Sequence, residues 1–316
     1  MTGATGFVGA SVVNRLRADS ETNRVSVAIR NDGERLPAGV VKHFVGEQDA
    51  ATDWSEALRG VSAVVHCAAR VHVMKDGAAD PLEEFRTVNC YGTLSLARQA
   101  AAAGVRRLVY VSSIGVNGAE TVEGPYSAAD APAPHSPYAV SKLDAELGLG
   151  VITKTTDLEV VIVRPPLVYG PCAPGNFRSL VRLLLRGVPL PLGAVRNRRS
   201  YVALDNLADF LITCVKHPAA ANQTFLVSDG EDLSTTDLLR RMAKALGKSP
   251  HLIPVPPVFL ALGARLVGRP EIAQRLCGSL QVDISKSREL LNWSPPISVD
   301  EGLKRAAKGY LREATV

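Results

Sequence analysis

Aromatic residues are scarce, at 5% of the 316 residues, and they do not alternate with basic clusters. Single-strand nucleic-acid binding stacks bases on aromatics along a cationic groove. No nucleic-acid partner is therefore expected, despite a net charge of +5. The basic residues are dispersed apart from one knot, Arg196-Asn197-Arg198-Arg199, which suits an anionic small ligand. Cysteine is sparse too. Cys67, Cys90, Cys172, Cys214 and Cys277 are scattered, odd in number and without C-x-x-C spacing. Neither a disulfide framework nor a zinc site is expected, and the thiols read as reduced and cytosolic. The histidines form no H-x-x-x-H or H-E-x-x-H pair, so no metal is expected. No apolar run approaches the roughly 20 residues of a bilayer-spanning helix, so no membrane span is expected. No signal peptide precedes the first motif, and a cytoplasmic location is expected.

One absence is local. Thr2-Gly3-Ala4-Thr5-Gly6-Phe7-Val8-Gly9 is a G-x-x-G-x-x-G turn running into an apolar helical stretch. Such a turn lets backbone approach a pyrophosphate, which meets free N–H groups and the positive end of the helix dipole. The turn should follow a central buried strand, yet only Met1 precedes it. The expectation is that most of the first strand, roughly half a dozen residues, is missing. Solubility or cofactor affinity would then be poor. A longer chain that gains neither stability nor affinity would sink that idea.

What is present alternates between strand and helix. Strand patterns lie at 24–30, 40–45, 61–67, 106–113 and 159–164, with helical stretches at 53–58, 81–104 and from 137. A doubly wound parallel sheet is predicted over residues 1–165, with a smaller α/β substrate-binding portion over 166–316. The segment at about 196–228 is expected to return to the first unit. Arg30 ends the second strand pattern, where an acidic residue would bind the ribose of NAD and an Arg accommodates the 2′-phosphate of NADP. NADP is favoured over NAD, with Asp32 read as a turn residue. Ala68 and Ala69 follow a buried strand and are small enough for a cofactor to lie against them. His66, inside that apolar run, reads as a packed core histidine. Asn89 is either a buried hydrogen-bond organiser or a chance exposed residue.

The chemistry centres on Tyr138 and Lys142, four residues apart and on one face if the segment is helical. A Lys ammonium beside a phenol favours the phenolate and lowers its pKa. Ser113 ends the strand pattern before them, and residues 114–136 form a long Gly- and Pro-rich loop suited to a lid or a substrate-facing segment. In a doubly wound sheet the glycine turn, Ser113 and Tyr138 share one edge, beyond the carboxyl ends of the strands.

These pieces together resemble the extended short-chain dehydrogenase/reductase family of nucleotide-sugar epimerases, dehydratases and reductases. The matching segments are TGATGFVG (2–9), HCAA (66–69), VNCYGT (88–93), VSS (111–113), YAVSK (138–142), RPPLVYGP (164–171) and NWSP (292–295). The resemblance implies that Ser113 holds the substrate oxygen, that Tyr138 is the acid–base, and that Lys142 lowers the Tyr138 pKa and binds the nicotinamide ribose. It adds Phe7, Val8, Asn89 and Pro165 to the glycines, Arg30, Ala68 and Ala69 as cofactor contacts. It also implies Asn176, Arg199 and Arg275 as contacts to the UDP part of a UDP-sugar. A homodimer is implied through helices around 84–103 and 137–149.

Within the family, VSSIGVNG, RVHVM (70–74), NRRSYVALDNLAD and RLCGSLQVD resemble the branch acting on UDP-4-keto-6-deoxy-N-acetylhexosamines in surface-polysaccharide synthesis. Asn117 stands where the usual epimerase pattern has Tyr. A C4 reductase is the leading expectation, a UDP-sugar 4-epimerase the second. A non-catalytic dinucleotide-binding sensor or scaffold is the third, disfavoured by the intact Ser113, Tyr138 and Lys142 set.

Overall fold

Short β-branched runs buried on both faces set the frame. The computed structural model describes every residue except 21, 23, 32–35, 72–79 and 316. Asp32 and residues 72–74 of the RVHVM segment therefore lie outside the described residues. The first strands are Ser26–Ile29 (β1), Val41–Phe44 (β2), Ala63–His66 (β3), Arg107–Val111 (β4) and Glu159–Arg164 (β5). The chain then turns through Leu167–Tyr169 (β6) and Arg199–Ala203 (β7), which pair in parallel. It returns with Thr224–Leu226 (β8), parallel to β5, and adds Asp232–Leu233 (β9), antiparallel to β7.

Met1 and Thr2 fill the slot between β1 and β3. The Ala28 N–H donates to the Met1 carbonyl at 2.8 Å, and the Thr2 N–H donates to the Val65 carbonyl at 3.1 Å. The main sheet therefore runs β2-β1-(Met1–Thr2)-β3-β4-β5-β8 and is parallel throughout. Strand order reverses between Thr2 and β3, which is where doubly wound sheets open a ligand crevice. The glycine turn leaves the sheet at that point.

Alternation along the strands assigns the two faces. Val65, Val109, Val161 and Val163 pack under helices Phe7–Ala18 and Leu204–Lys216, through Val12, Leu207 and Phe210. Val64, Leu108, Tyr110 and Val160 pack on the opposite face, under Leu96, Ala100, Ala145 and Leu149 of helices Thr93–Ala102 and Pro137–Ile152. A separate core holds Tyr169, Phe177, Tyr201, Met242, Leu303 and Tyr310, from β6, β7 and helices Asn176–Leu185, Thr235–Ala245 and Val299–Thr315.

The stretch expected as one helix over 81–104 is Pro81–Arg86, a π turn Thr87–Gly92 and Thr93–Ala102. The wider turn carries fully buried Asn89, and the Thr93 hydroxyl donates to the Asn89 carbonyl at 2.7 Å. Apolar periodicity does not register one extra residue per turn, so the interruption was invisible to it. The helix Pro270–Cys277 was not anticipated either, although proline suits its first turn.

Gly9 shows how tight the turn is. A Cβ built there would lie 2.0 Å from the Gly3 carbonyl oxygen. Gly9→Ala must push the helix off the turn, and is expected to cost about 1–3 kcal/mol in denaturant unfolding. It should also weaken dinucleotide binding, as read by calorimetric titration.

Candidate active site

A crevice of about 290 Å³ opens over the carboxyl ends of Met1–Thr2, β1 and β3, lined by residues 2–6, Ala28 to Arg30, residues 45–48, Trp54 and residues 67–70. Gly3 has φ of 65°, and a Cβ on it would meet the Ala68 nitrogen at 2.6 Å. Only glycine lets these two backbones approach so closely. The helix Phe7–Ala18 has no side-chain cap at Gly6. Its first-turn N–H groups are thus available to an anion. The Phe7 side chain packs against the C-terminal core and that of Val8 against the sheet core, so only their backbone groups belong to the turn. Arg30 follows β1 directly, exposed on the crevice rim, 3.5 Å from Glu47. Trp54, which sequence reasoning missed, contributes a buried indole N–H that has no hydrogen-bond partner among the described residues. A tight glycine cradle, an uncapped helix start and an orphan donor fit a dinucleotide.

Behind the crevice, Asn89 resolves as an organiser. Its side-chain oxygen accepts from the Arg70 N–H at 2.8 Å, and its amide hydrogens go to the Arg70 carbonyl and Ser141 Oγ at 3.1 and 3.0 Å. It therefore ties the segment after β3 to the Tyr138 helix. His66 is fully buried. The Thr93 hydroxyl already donates to Asn89, so Thr93 Oγ1 takes the His66 Nε2–H at 2.9 Å, and the Thr2 hydroxyl donates to Nδ1 at 2.6 Å. This neutral tautomer uses both ring nitrogens. Burial, reinforced by the Lys142 charge, pushes the imidazole down from 6.5 to about 3. The unfolded chain thus takes up this proton first. Stability is expected to fall as pH drops below about 6.5, at ~1.4 kcal/mol per pH unit from this group. Denaturation at pH 7, 6 and 5 measures the slope, and His66→Gln should remove that component.

Ser136 caps the next helix, its Oγ accepting from the Ala139 N–H at 3.2 Å, and Pro137 occupies the first turn. Tyr138 and Lys142 follow one turn apart. Lys142 is buried, and its Nζ donates to the Val111 carbonyl at 2.9 Å. That ammonium lies 4.6 Å from the Tyr110 ring centroid and 5.9 Å from that of Tyr138. Ser113 follows β4 and accepts from the Gly115 N–H at 3.1 Å. A Cβ on Gly115 would lie 3.3 Å from Ser113 Oγ and 3.4 Å from the Ala139 Cβ, which puts the serine beside the first turn of the Tyr138 helix. Pro165 is buried, and its carbonyl accepts from the Ile114 N–H at 3.0 Å.

One expectation is corrected here. Burial pushes the Tyr138 phenol up to about 12, where a lowered pKa was expected. The cause is geometric: Lys142 is turned to the Val111 carbonyl and the Tyr110 ring. Burial also pulls Lys142 down to about 8, with the charges of Cys67 and Glu146 opposing.

Sequence reasoning also missed a buried polar chain beneath this helix. Glu146 accepts from Ser112 Oγ at 2.5 Å and from Arg164 Nη2 at 2.5 Å. Arg164 Nη1 donates to Asn117 Oδ1 at 2.9 Å, and Asn117 Nδ2 donates to the Ser127 carbonyl at 3.1 Å. The chain joins the ends of β4 and β5, the Tyr138 helix and the 114–136 loop. The available signal was the spacing Tyr138, Lys142, Glu146, three residues on one helix face.

Asn176, Arg199 and Arg275 meet in a second cleft of about 330 Å³, with Leu167, Tyr201 and Ile272. Arg199 Nη1 donates to the Gly278 carbonyl at 2.9 Å. Among the described residues neither arginine pairs with a carboxylate. Arg275 also depresses His135, after burial, which brings this cleft toward the loop before Tyr138. Two guanidiniums without a carboxylate partner, in a cleft that also presents Asn176, Ser179 and Thr235, suit a diphosphate.

Residues 1–228 match the NAD dependent epimerase/dehydratase family. The chain belongs to that family and is an enzyme of its class. It is 44% identical over 317 residues to UDP-glucose 4-epimerase of Vibrio cholerae, covering 99% of this chain and 95% of that protein. Its structure is similar to that of a DesIV double mutant, a dTDP-glucose 4,6-dehydratase from Streptomyces venezuelae with NAD bound. That likeness has a TM-score of 0.80, 26% identity, and coverage of 99% of this chain and 97% of that one. It is also similar to MoeE5 in complex with UDP-glucose and NAD, with a TM-score of 0.76, 25% identity, and coverage of 99% and 98%.

Proposed function

We propose that the protein reduces C4 of a UDP-4-keto-6-deoxy-N-acetylhexosamine, the step that completes a sugar for surface-polysaccharide synthesis. The observation that carries this reading is the convergence of Ser113, Tyr138 and Lys142 at the carboxyl edge of the sheet, beside a cleft holding Arg199 and Arg275. The dinucleotide, when bound, supplies the hydride. The chain supplies orientation and the proton. Arg199, Arg275 and Asn176 hold the diphosphate, Ser113 polarises the C4 carbonyl, and Tyr138 donates its proton to the oxygen. A phenol kept protonated by burial suits that donor role. Gly3, Gly6 and Gly9 cradle the pyrophosphate, with Ala68, Ala69 and Pro165 along the walls, Lys142 at the ribose and Asn89 as the positioning residue. Arg30 favours NADP over NAD. Residues 1–165 with about 196–228 bind the dinucleotide, and most of 166–316 bind the sugar.

A second reading, a UDP-sugar 4-epimerase, is favoured by the 44% identical relative. One assay separates the two. The protein is incubated with the UDP-4-keto sugar and NADH or NADPH, and absorbance is followed. Stoichiometric cofactor oxidation supports the reductase and ranks the two cofactors. Interconversion of UDP-glucose and UDP-galactose without added cofactor supports the epimerase and overturns the first reading. Leu147 and Val151, each 62% exposed on the Tyr138 helix, support assembly as a homodimer through that face, and light scattering reads it directly.

A further inference from the structure

Of the basic knot Arg196-Asn197-Arg198-Arg199, only Arg199 lines the cleft that holds Arg275. Asn197, the one uncharged member, is 8% exposed and is not among the cleft's walls. Both ends of its amide are nonetheless used. Oδ1 accepts from the Thr235 N–H at 2.8 Å, and Nδ2 donates to the carbonyls of Leu276 and Gly278 at 3.2 and 2.8 Å. A backbone N–H can be met only by the amide oxygen, so these partners fix the orientation of the amide.

Those two carbonyls end the helix Pro270–Cys277, where the last C=O groups lack partners within the helix. Arg275 sits in that last turn. Apolar burial holds this part of the chain weakly, since Ala273 alone is buried among the described residues of 257–277. The segment after the helix is held independently. The Ser200 N–H donates to the Leu280 carbonyl at 2.8 Å, and the Leu280 N–H donates to the Arg198 carbonyl at 2.9 Å. Loss of the Asn197 amide would therefore free the turn that carries Arg275 and leave the strand that carries Arg199 in place. The Gly278 carbonyl also accepts from Arg199 Nη1 at 2.9 Å. A guanidinium has five donors, and a diphosphate draws on them. Whichever of them Arg199 turns to an anion, the Gly278 carbonyl keeps Asn197.

We propose that Asn197 is a positioning residue for diphosphate binding. It locks the Arg275 turn onto the Arg199 strand, so two guanidiniums meet one anion without first ordering an arm. This rests on the diphosphate reading of the cleft above and adds to it the residue that aligns the arginines.

The test is calorimetric titration of the full chain with UDP, in a cycle of Asn197→Ala and Arg275→Ala. The helix Thr235–Ala245 keeps its Ser234 cap in Asn197→Ala, so that variant should fold. Arg275→Ala is expected to weaken UDP about tenfold or more, the scale of a charged hydrogen bond. Asn197→Ala should lose most of that factor alone and almost nothing further in the Arg275→Ala background. With the 4-keto sugar, KM should rise by the same factor while kcat stays within about twofold. Affinity for NADH or NADPH should not change. Asn197→Ser keeps one donor and should recover part of the loss, and it takes the place of Asn197→Ala if that variant does not fold. Parental UDP affinity in Asn197→Ala overturns the proposal and leaves the diphosphate reading standing. So does an equal loss with and without Arg275, which would make the role of Asn197 structural only. Failure of the parent to bind UDP, or full affinity in Arg275→Ala, overturns the diphosphate reading and this proposal with it.

Discussion

Tyr138→Phe is expected to lower kcat/KM by roughly 10²- to 10⁴-fold, the range for a positioned acid–base, while leaving the fold intact. The Tyr138 hydroxyl makes no hydrogen bond to a described residue, and its ring packs edge-on against Phe85 at 6.0 Å, a contact that Phe preserves. Stability should therefore stay within about 0.5 kcal/mol of the parent. Steady-state kinetics with the UDP-4-keto sugar, paired with denaturant unfolding, separates the two quantities. Full activity in this variant would remove Tyr138 from the chemistry. A phenol raised to about 12 is protonated across the neutral range. The reductive direction should thus show no loss from Tyr138 ionisation up to pH 9, whereas a reaction that starts with Tyr138 as base should accelerate as pH rises.

How far the sequence carried depends on the range of each signal. Strands β4 and β5 were legible because both faces are buried, and a short uninterrupted run rich in β-branched residues suits a central parallel strand. The glycine turn was legible because its constraint is local, Gly9 against Gly3 within one loop. Asn176, Arg199 and Arg275 are far apart in the chain, and resemblance alone grouped them before the cleft brought them together. The π turn at Thr87–Gly92 and the orphan indole of Trp54 left no trace in periodicity. The direction of the Tyr138 shift was misjudged because spacing places Lys142 on the right helix face but does not say which acceptor its ammonium chooses. The Val111 carbonyl, at the end of a different strand, takes it.

The same limit hid Glu146 and Arg164, 18 residues apart in sequence and both buried. Arg164→Leu leaves the Glu146 carboxylate buried without its cation, and a loss of about 3–5 kcal/mol is expected. Glu146→Leu alone should cost a similar amount by stranding the guanidinium. The pair changed together removes both charges, so Arg164→Leu/Glu146→Leu should be more stable than either single variant. A double-mutant cycle in urea measures the difference, and additive losses would refute the coupling. The double variant still strands Ser112 Oγ and Asn117 Oδ1, whose partners are Glu146 and Arg164. Recovery should therefore be incomplete. Asn117 also holds the Ser127 carbonyl of the substrate-side loop. Activity should lag behind stability in the double variant, with KM for the sugar rising more than kcat falls. If KM is unchanged while stability recovers, the buried chain serves the fold alone and the loop owes its position to other contacts.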